Sequence, residues 1–155
     1  MKTDADSARV RIPPPLILLS CMLAGVGIHQ FFPVHFMGRP ERYVLGMALI
    51  VSGVMTILRC ASRFKKAEID IKPWKPTSHL MTGDLYRFTR NPIYLSFVLI
   101  QGGLACVLDS AATLGMVVPL VLALDFYVIR NEEAYLSRKF GDEYRTYASR
   151  VRRWI

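Results

Sequence analysis

Two short polar clusters in an otherwise apolar chain hold the residue types that can do chemistry. They are Arg90-Asn91-Pro92-Ile93-Tyr94 and Arg130-Asn131-Glu132-Glu133. The first opens an apolar run and the second closes one. Pro92 has no backbone N–H and a fixed φ, so it belongs in the first turn of a helix. Asn91 is pushed away from α geometry by the following ring, and its side chain is able to cap. A helix start with free N–H groups, flanked by Arg87, Arg90, Tyr86 and Tyr94, suits an anionic or polar ligand. Glu132 and Glu133 end a helix, where the macrodipole favours cations. A pair that is locally unfavourable is a functional candidate. The competing reading is that Arg90 and Tyr94 anchor a helix at headgroup level and that the glutamates pair with Arg87, Arg90 or Lys139.

The elements that must position these clusters are apolar runs. The chain is 155 residues long, 52% hydrophobic and carries a net charge of +8. The apolar residues come in blocks, which a soluble domain of this size could not cover, so the chain reads as one all-α integral membrane domain over residues 1–155. Four spans are expected, at about 16–36, 43–61, 92–108 and 111–129. Only Asp109-Ser110 separates the last two, so they form a tight hairpin and bring the two polar clusters together. Gly46, Ala48, Ser52 and Gly53 suit close helix packing in lipid. Pro119 is placed to kink the fourth span. Asp125 lies inside that span and needs either a partner or a water-filled site. The arm Met1 to Arg11 is polar and expected to be loose.

From Arg130 to Ile155 the chain reads as an amphipathic helix. Leu136, Phe140, Tyr144, Tyr147 and Val151 form one stripe, and Gly141 marks a bend. Such a helix lies on a membrane surface or covers a pocket mouth. The long segment 63–89, with Trp74 among Lys65, Lys66, Lys72 and Lys75, is a functional or interfacial loop. Of the 20 Lys and Arg, only Arg39 and Arg42 fall on the first loop. The excess of basic residues on the other side places both termini and the long loop in the cytoplasm. That accounts for the basicity, and no zinc spacing or interleaved aromatic–basic surface suggests nucleic acid. Cys21, Cys60 and Cys106 sit in apolar runs as packing residues, without metal-ligand spacing.

The ordered set Leu80-Met81-Thr82, Tyr86, Arg90-Asn91-Pro92-Ile93-Tyr94, Glu132-Glu133-x-x-Leu136, Phe140-Gly141-x-Glu143-Tyr144, Tyr147, and Val151 with Arg153 resembles the isoprenylcysteine carboxyl methyltransferase and phospholipid methyltransferase group of integral-membrane enzymes. The resemblance covers about residues 64–155. It implies S-adenosylmethionine held at the cytoplasmic ends of the last helices, without a Rossmann domain. By position it assigns cofactor contacts to Ser78, His79, Leu80, Met81, Tyr86, Asn91, Pro92, Ile93 and Tyr94, with Glu132 as the carboxylate. Arg130 and Glu133 complete the expected catalytic set, Glu133 pairing with Arg90, and Arg130 or Arg153 steadying an acceptor carboxylate.

The chain also departs from the group. Asn91 stands where many relatives carry His and can hold no proton. Asp84-Leu85 replaces a Gly-Pro pair, Glu68-Ile69 a Gly-Thr pair, and Val128 a substrate-binding arginine. The expected activity is methyl transfer to a lipid-like acceptor drawn from the bilayer, an isoprenylcysteine-type carboxylate or a thiol. Anionic lipid headgroups are expected around the basic tail, in a bacterial-type inner membrane with a cytoplasmic active site. The alternatives are phosphatidylethanolamine N-methylation and a non-enzymatic membrane scaffold.

Overall fold

The computed structural model describes residues 8, 10–38, 40–67 and 77–155. The expectations for Glu68-Ile69, Lys72, Trp74 and Lys75 lie outside the described residues. Those residues contain helices and no strand, in agreement with the all-α expectation. Helix α1 spans Pro14–Phe31, α2 Glu41–Lys66 and α3 Pro92–Leu108. Helix α4 runs over Ala111–Phe140 and α5 over Asp142–Arg150. A 3-10 turn, Asp84–Arg87, lies in the loop before α3.

Helices α1, α2 and α4 are long and apolar enough to cross a membrane. Helix α3 has 17 residues, about 25 Å at 1.5 Å per residue. It is the central helix, packed against both α2 and α4. Its partner α2 uses one seam, burying Gly46, Gly53 and Cys60 at intervals of seven residues. Leu120, Leu124, Val128 and Ile129 of α4 have no exposed surface and pack with Tyr94, Phe97, Leu18 and Cys21. The outward faces carry Leu19 and Leu23 on α1, Val44, Met47, Val51 and Met55 on α2, and Val118 and Leu122 on α4. That apolar band belongs against lipid tails.

Several boundaries differ from the expected ones. The first run was expected to be helical to Phe36, but α1 stops at Phe31. The following segment instead crosses to the α3–α4 turn, where Phe36 and Met37 donate their N–H groups to Asp109 Oδ1 at 2.9 and 2.8 Å. Asp109 adopts φ 51 as the C-cap of α3. Ser110 Oγ accepts from Thr113 N at 3.0 Å, which starts α4 at once and makes the hairpin as tight as expected.

Helix α4 is not regular. Its α geometry is interrupted at Met116, three residues before Pro119, whose ring clashes with the carbonyl four residues earlier. A π turn then occupies Leu124–Ile129. The helix continues beyond the expected limit of 129 as far as Phe140, where Gly141 (φ 52) makes the expected bend.

Of the arm Met1 to Arg11, expected to be loose, residues 1–7 and 9 lie outside the described residues, and the rest, like the tail, departs from its expectation. Ala8 and Val10 are buried rather than loose, and the N–H groups of Arg11 and Ile12 donate to Tyr127 Oη at 2.8 and 2.9 Å. The tail is not helical to Ile155. Helix α5 ends at Arg150, Val151 is extended, and residues 151–155 return beneath the start of α3.

Candidate active site

The loop before α3 is held from two sides. Arg59 and Arg63 of α2 grip the Asp84 carboxylate at 2.6 and 3.0 Å. Hydrogen bonds from Arg59, assisted by Arg63, hold the Asp84 carboxyl down at about 2. Asp84 itself adopts φ 58. From the other side, Tyr147 Oη donates to Tyr86 O at 2.6 Å, and Thr77 N donates to Tyr135 Oη at 3.1 Å.

The returning tail fixes the start of α3. Arg90 N donates to Arg152 O at 2.9 Å, and Asn91 Nδ2 donates to Arg153 O at 2.9 Å. The Asn91 side chain therefore does not cap α3 as expected. Its amide is used to bind the tail instead.

Between loop, α3, α4 and α5 lies a cavity of about 900 Å³ counted out to its open mouth. Cavities of about 300–1,000 Å³ suit drug-sized ligands. Glu132 projects into it and accepts from Tyr94 Oη, so the hairpin does join the two polar clusters. Among the described residues no cation pairs with Glu132. Its neighbour Glu133 differs. It meets Arg90 at 3.1 Å and Arg153 at 2.6 Å, so the pairing of Glu133 with Arg90 stands. Arg153 also bridges to Asp125 at 3.2 Å, and Trp154 Nε1 donates to the same carboxylate at 3.4 Å. Asp125 therefore has partners inside the protein.

Two phenols of the lining stay un-ionised. Burial pushes the Tyr147 phenol up to about 12 and the Tyr86 phenol well above its ordinary value. These rings offer neutral faces and hydroxyls to a ligand, never a phenolate at neutral pH.

Set beside known proteins, residues 41–143 match the family model described as phospholipid methyltransferase. The chain belongs to that family. It is a membrane methyltransferase. An uncharacterized protein of Haemophilus influenzae is 46% identical over 66 residues, covering 41% of this chain and 100% of that protein. No solved structure gives a significant match.

Within this phospholipid methyltransferase-family fold, the expected residues sort clearly. His79, Leu80, Met81, Tyr86, Asn91, Ile93, Tyr94, Glu132 and Glu133 all line the cavity. Ser78 and Pro92 do not; Pro92 is buried where it begins α3. Arg130 is not brought to the site. Its side chain is half exposed, lies 4.0 Å over the Phe126 ring and reaches Asp125 at 3.4 Å. Two residues along a helix is about 200° of rotation, so Arg130 and Glu132 cannot share a face.

Residues left out of the expected set also line the cavity: Arg90, Tyr135, Leu136, Tyr144, Tyr147, Phe64 and Ala8. The spacing contained part of this answer. Tyr135 and Leu136 follow Glu132 by three and four residues and so fall on its face. Leu136, Tyr144 and Tyr147 belong to the tail stripe, which covers the cavity as one of its two expected uses. Ala8 had no such signal.

Proposed function

We propose that this methyltransferase uses S-adenosylmethionine and methylates a lipid-like acceptor carrying a carboxylate or thiol, an isoprenylcysteine-type carboxylate being the best match. The observation that carries the reading is Glu132, a carboxylate in a cofactor-sized, aromatic-walled cavity with a tyrosine hydroxyl and no cation as its described partner. A buried carboxylate is costly unless a partner compensates it. A ligand bearing ammonium, sulfonium and hydroxyl groups provides that compensation. Glu132 would accept from the hydroxyl or ammonium groups, and Tyr86 and Tyr94 would offer their rings to the sulfonium. Leu80, Met81 and Ile93 would exclude water around the reacting atoms. When bound, S-adenosylmethionine supplies a methyl group on a sulfonium that departs as a neutral thioether.

For the acceptor, the argument rests on protons and solubility. A carboxylate is already deprotonated at neutral pH and asks no base of the cavity, whereas a thiol reacts through the fraction that has released its proton to water. An ammonium headgroup must first lose a proton. A long hydrocarbon chain gains about 0.8 kcal/mol for each CH₂ kept out of water, and approach from the bilayer side keeps it there. Anionic headgroups would gather at the basic tail on the cytoplasmic side of an inner-type membrane. Phosphatidylethanolamine N-methylation is the second reading, favoured by the family's own description, with His79 as the one cavity histidine.

The test is titration calorimetry on purified protein. Glu132→Ala is expected to weaken S-adenosylmethionine binding tenfold or more, about 1.4 kcal/mol, while Arg138→Ala leaves it unchanged. Equal affinities for the two variants would remove Glu132 from the site and support a scaffold. Transfer of labelled methyl is expected to favour a farnesylated acceptor over its bare counterpart, and labelling of phosphatidylethanolamine alone would select the second reading.

A further inference from the structure

We infer that Arg90 is a carboxylate receptor inside the cavity, so that the site takes a ligand with a free carboxylate at the opposite pole from Glu132. This rests on the methyl-transfer reading above. Arg90, Arg153 and Arg130 share two carboxylates, Asp125 and Glu133. Arg153 meets Glu133 through Nε at 3.1 Å and Nη2 at 2.6 Å, a two-point fork that satisfies Glu133 without help. Arg130 and Arg153 share Asp125 at 3.4 and 3.2 Å. Within this set of five groups the arginines outnumber the carboxylates by one. Of the three arginines only Arg90 lines the cavity, which it shares with Glu132 and Glu133.

The hydrogen bonds point the same way. Arg90 Nη1 is 3.1 Å from Glu133 Oε1 and 3.5 Å from Tyr144 Oη, the latter at the limit of a hydrogen bond. Its Nε is buried and has no partner in the described structure, although the side chain is 83% removed from solvent. Buried donors are nearly always satisfied, so this orphan on a cavity-lining side chain is a donor that the protein itself leaves unused. An arginine fork matches the two oxygens of a carboxylate in a way that lysine cannot. The cavity thus has two poles, Glu132 for cationic groups and Arg90 for an anionic one.

The carboxylate could be the amino-acid end of the cofactor or the free carboxylate of the acceptor. Arg90→Lys separates them, because it keeps the charge beside Glu133 and removes Nε and the fork. Equilibrium binding is measured with S-adenosylmethionine, with its decarboxylated analogue, with farnesylated N-acetylcysteine, and with the carboxamide of that compound. A loss of tenfold or more for S-adenosylmethionine, with its decarboxylated analogue unaffected, places the cofactor's carboxylate on Arg90. The same pattern confined to the farnesylated acid and its amide places the acceptor there. In either case the unaffected analogue shows that the variant is folded.

The unsubstituted chain supplies a control that does not depend on the variant. It must bind the carboxylate member of at least one pair tenfold more tightly than its partner. No preference in either pair, or equal losses for both members in Arg90→Lys, overturns the assignment while leaving the methyl-transfer reading intact. Failure of the unsubstituted chain to bind any of the four overturns both.

Discussion

Glu132 and Glu133 are neighbours in sequence, yet the fold gives them opposite surroundings. One side chain meets two guanidinium groups, and the other meets a phenol in a cavity. Asp84 shows the same dependence on what surrounds a carboxylate. Its left-handed backbone (φ 58) would suit glycine, but the carboxylate is needed to join the loop to α2. Because Arg59 and Arg63 hold its pKa at about 2, below the 3.8 of a free side chain, Asp84 adds stability above about pH 4. That stability is lost as pH falls through 2. Asp84→Asn keeps a residue that tolerates the backbone and removes the charge. We expect its melting temperature in detergent to lie below that of the unsubstituted chain at pH 7, and the gap to close between pH 4 and 2. A gap that stays constant over that range would mean that the ion pair does not hold the loop.

At the scale of the helices, α3 is positioned by backbone approach. A Cβ on Gly46 would lie 2.7 Å from Gly103 O and 2.9 Å from Val107 N, and one on Gly103 would lie 2.6 Å from Gly46 O. Backbone atoms cannot turn aside as a long side chain can, so α2 and α3 would have to separate. Gly102, one residue away, has nothing within 4 Å of such a carbon. Gly46→Ala is therefore expected to destabilise by about 1–3 kcal/mol. Gly102→Ala should be neutral or stabilise by about 0.5–1 kcal/mol through helix propensity. Thermal unfolding of the pair in the same detergent checks this. Separation of α2 from α3 would also loosen Asp84 and the cavity wall at Phe64, so Gly46→Ala should weaken ligand binding too.

For the whole molecule the question is which way it faces. The uneven distribution of Lys and Arg supports the first loop outside and the cavity in the cytoplasm. The fold determines where to probe this. Ser110, in the α3–α4 turn, is fully buried and caps α4, so a cysteine there would report poorly. Gly38 is exposed on the same side, and Lys66 is exposed at the far end of α2. The native cysteines Cys21, Cys60 and Cys106 are all buried. In intact cells an impermeant thiol reagent is expected to label Gly38→Cys and to spare Lys66→Cys until the cells are opened. The reverse pattern would invert the orientation.

Length and apolar patterning were enough to predict four helices and the tight hairpin, because a chain in lipid must satisfy its backbone within helices and two residues leave room for nothing but a turn. The hairpin in turn required Tyr94 and Glu132 to meet, so that contact was legible before any coordinates. The rest depended on contacts between residues far apart in sequence. Nothing local in Ala8 or Val10 indicates burial, since they join a core cluster whose other members come from α1, α3 and α4. Arg153 joins Arg90 on Glu133 because residues 151–155 leave helical geometry and fold back beneath α3. Helical periodicity cannot foresee that return. The allocation of three arginines among Asp125 and Glu133, and hence the free edge of Arg90, is decided only when α4, the loop and the tail are packed together.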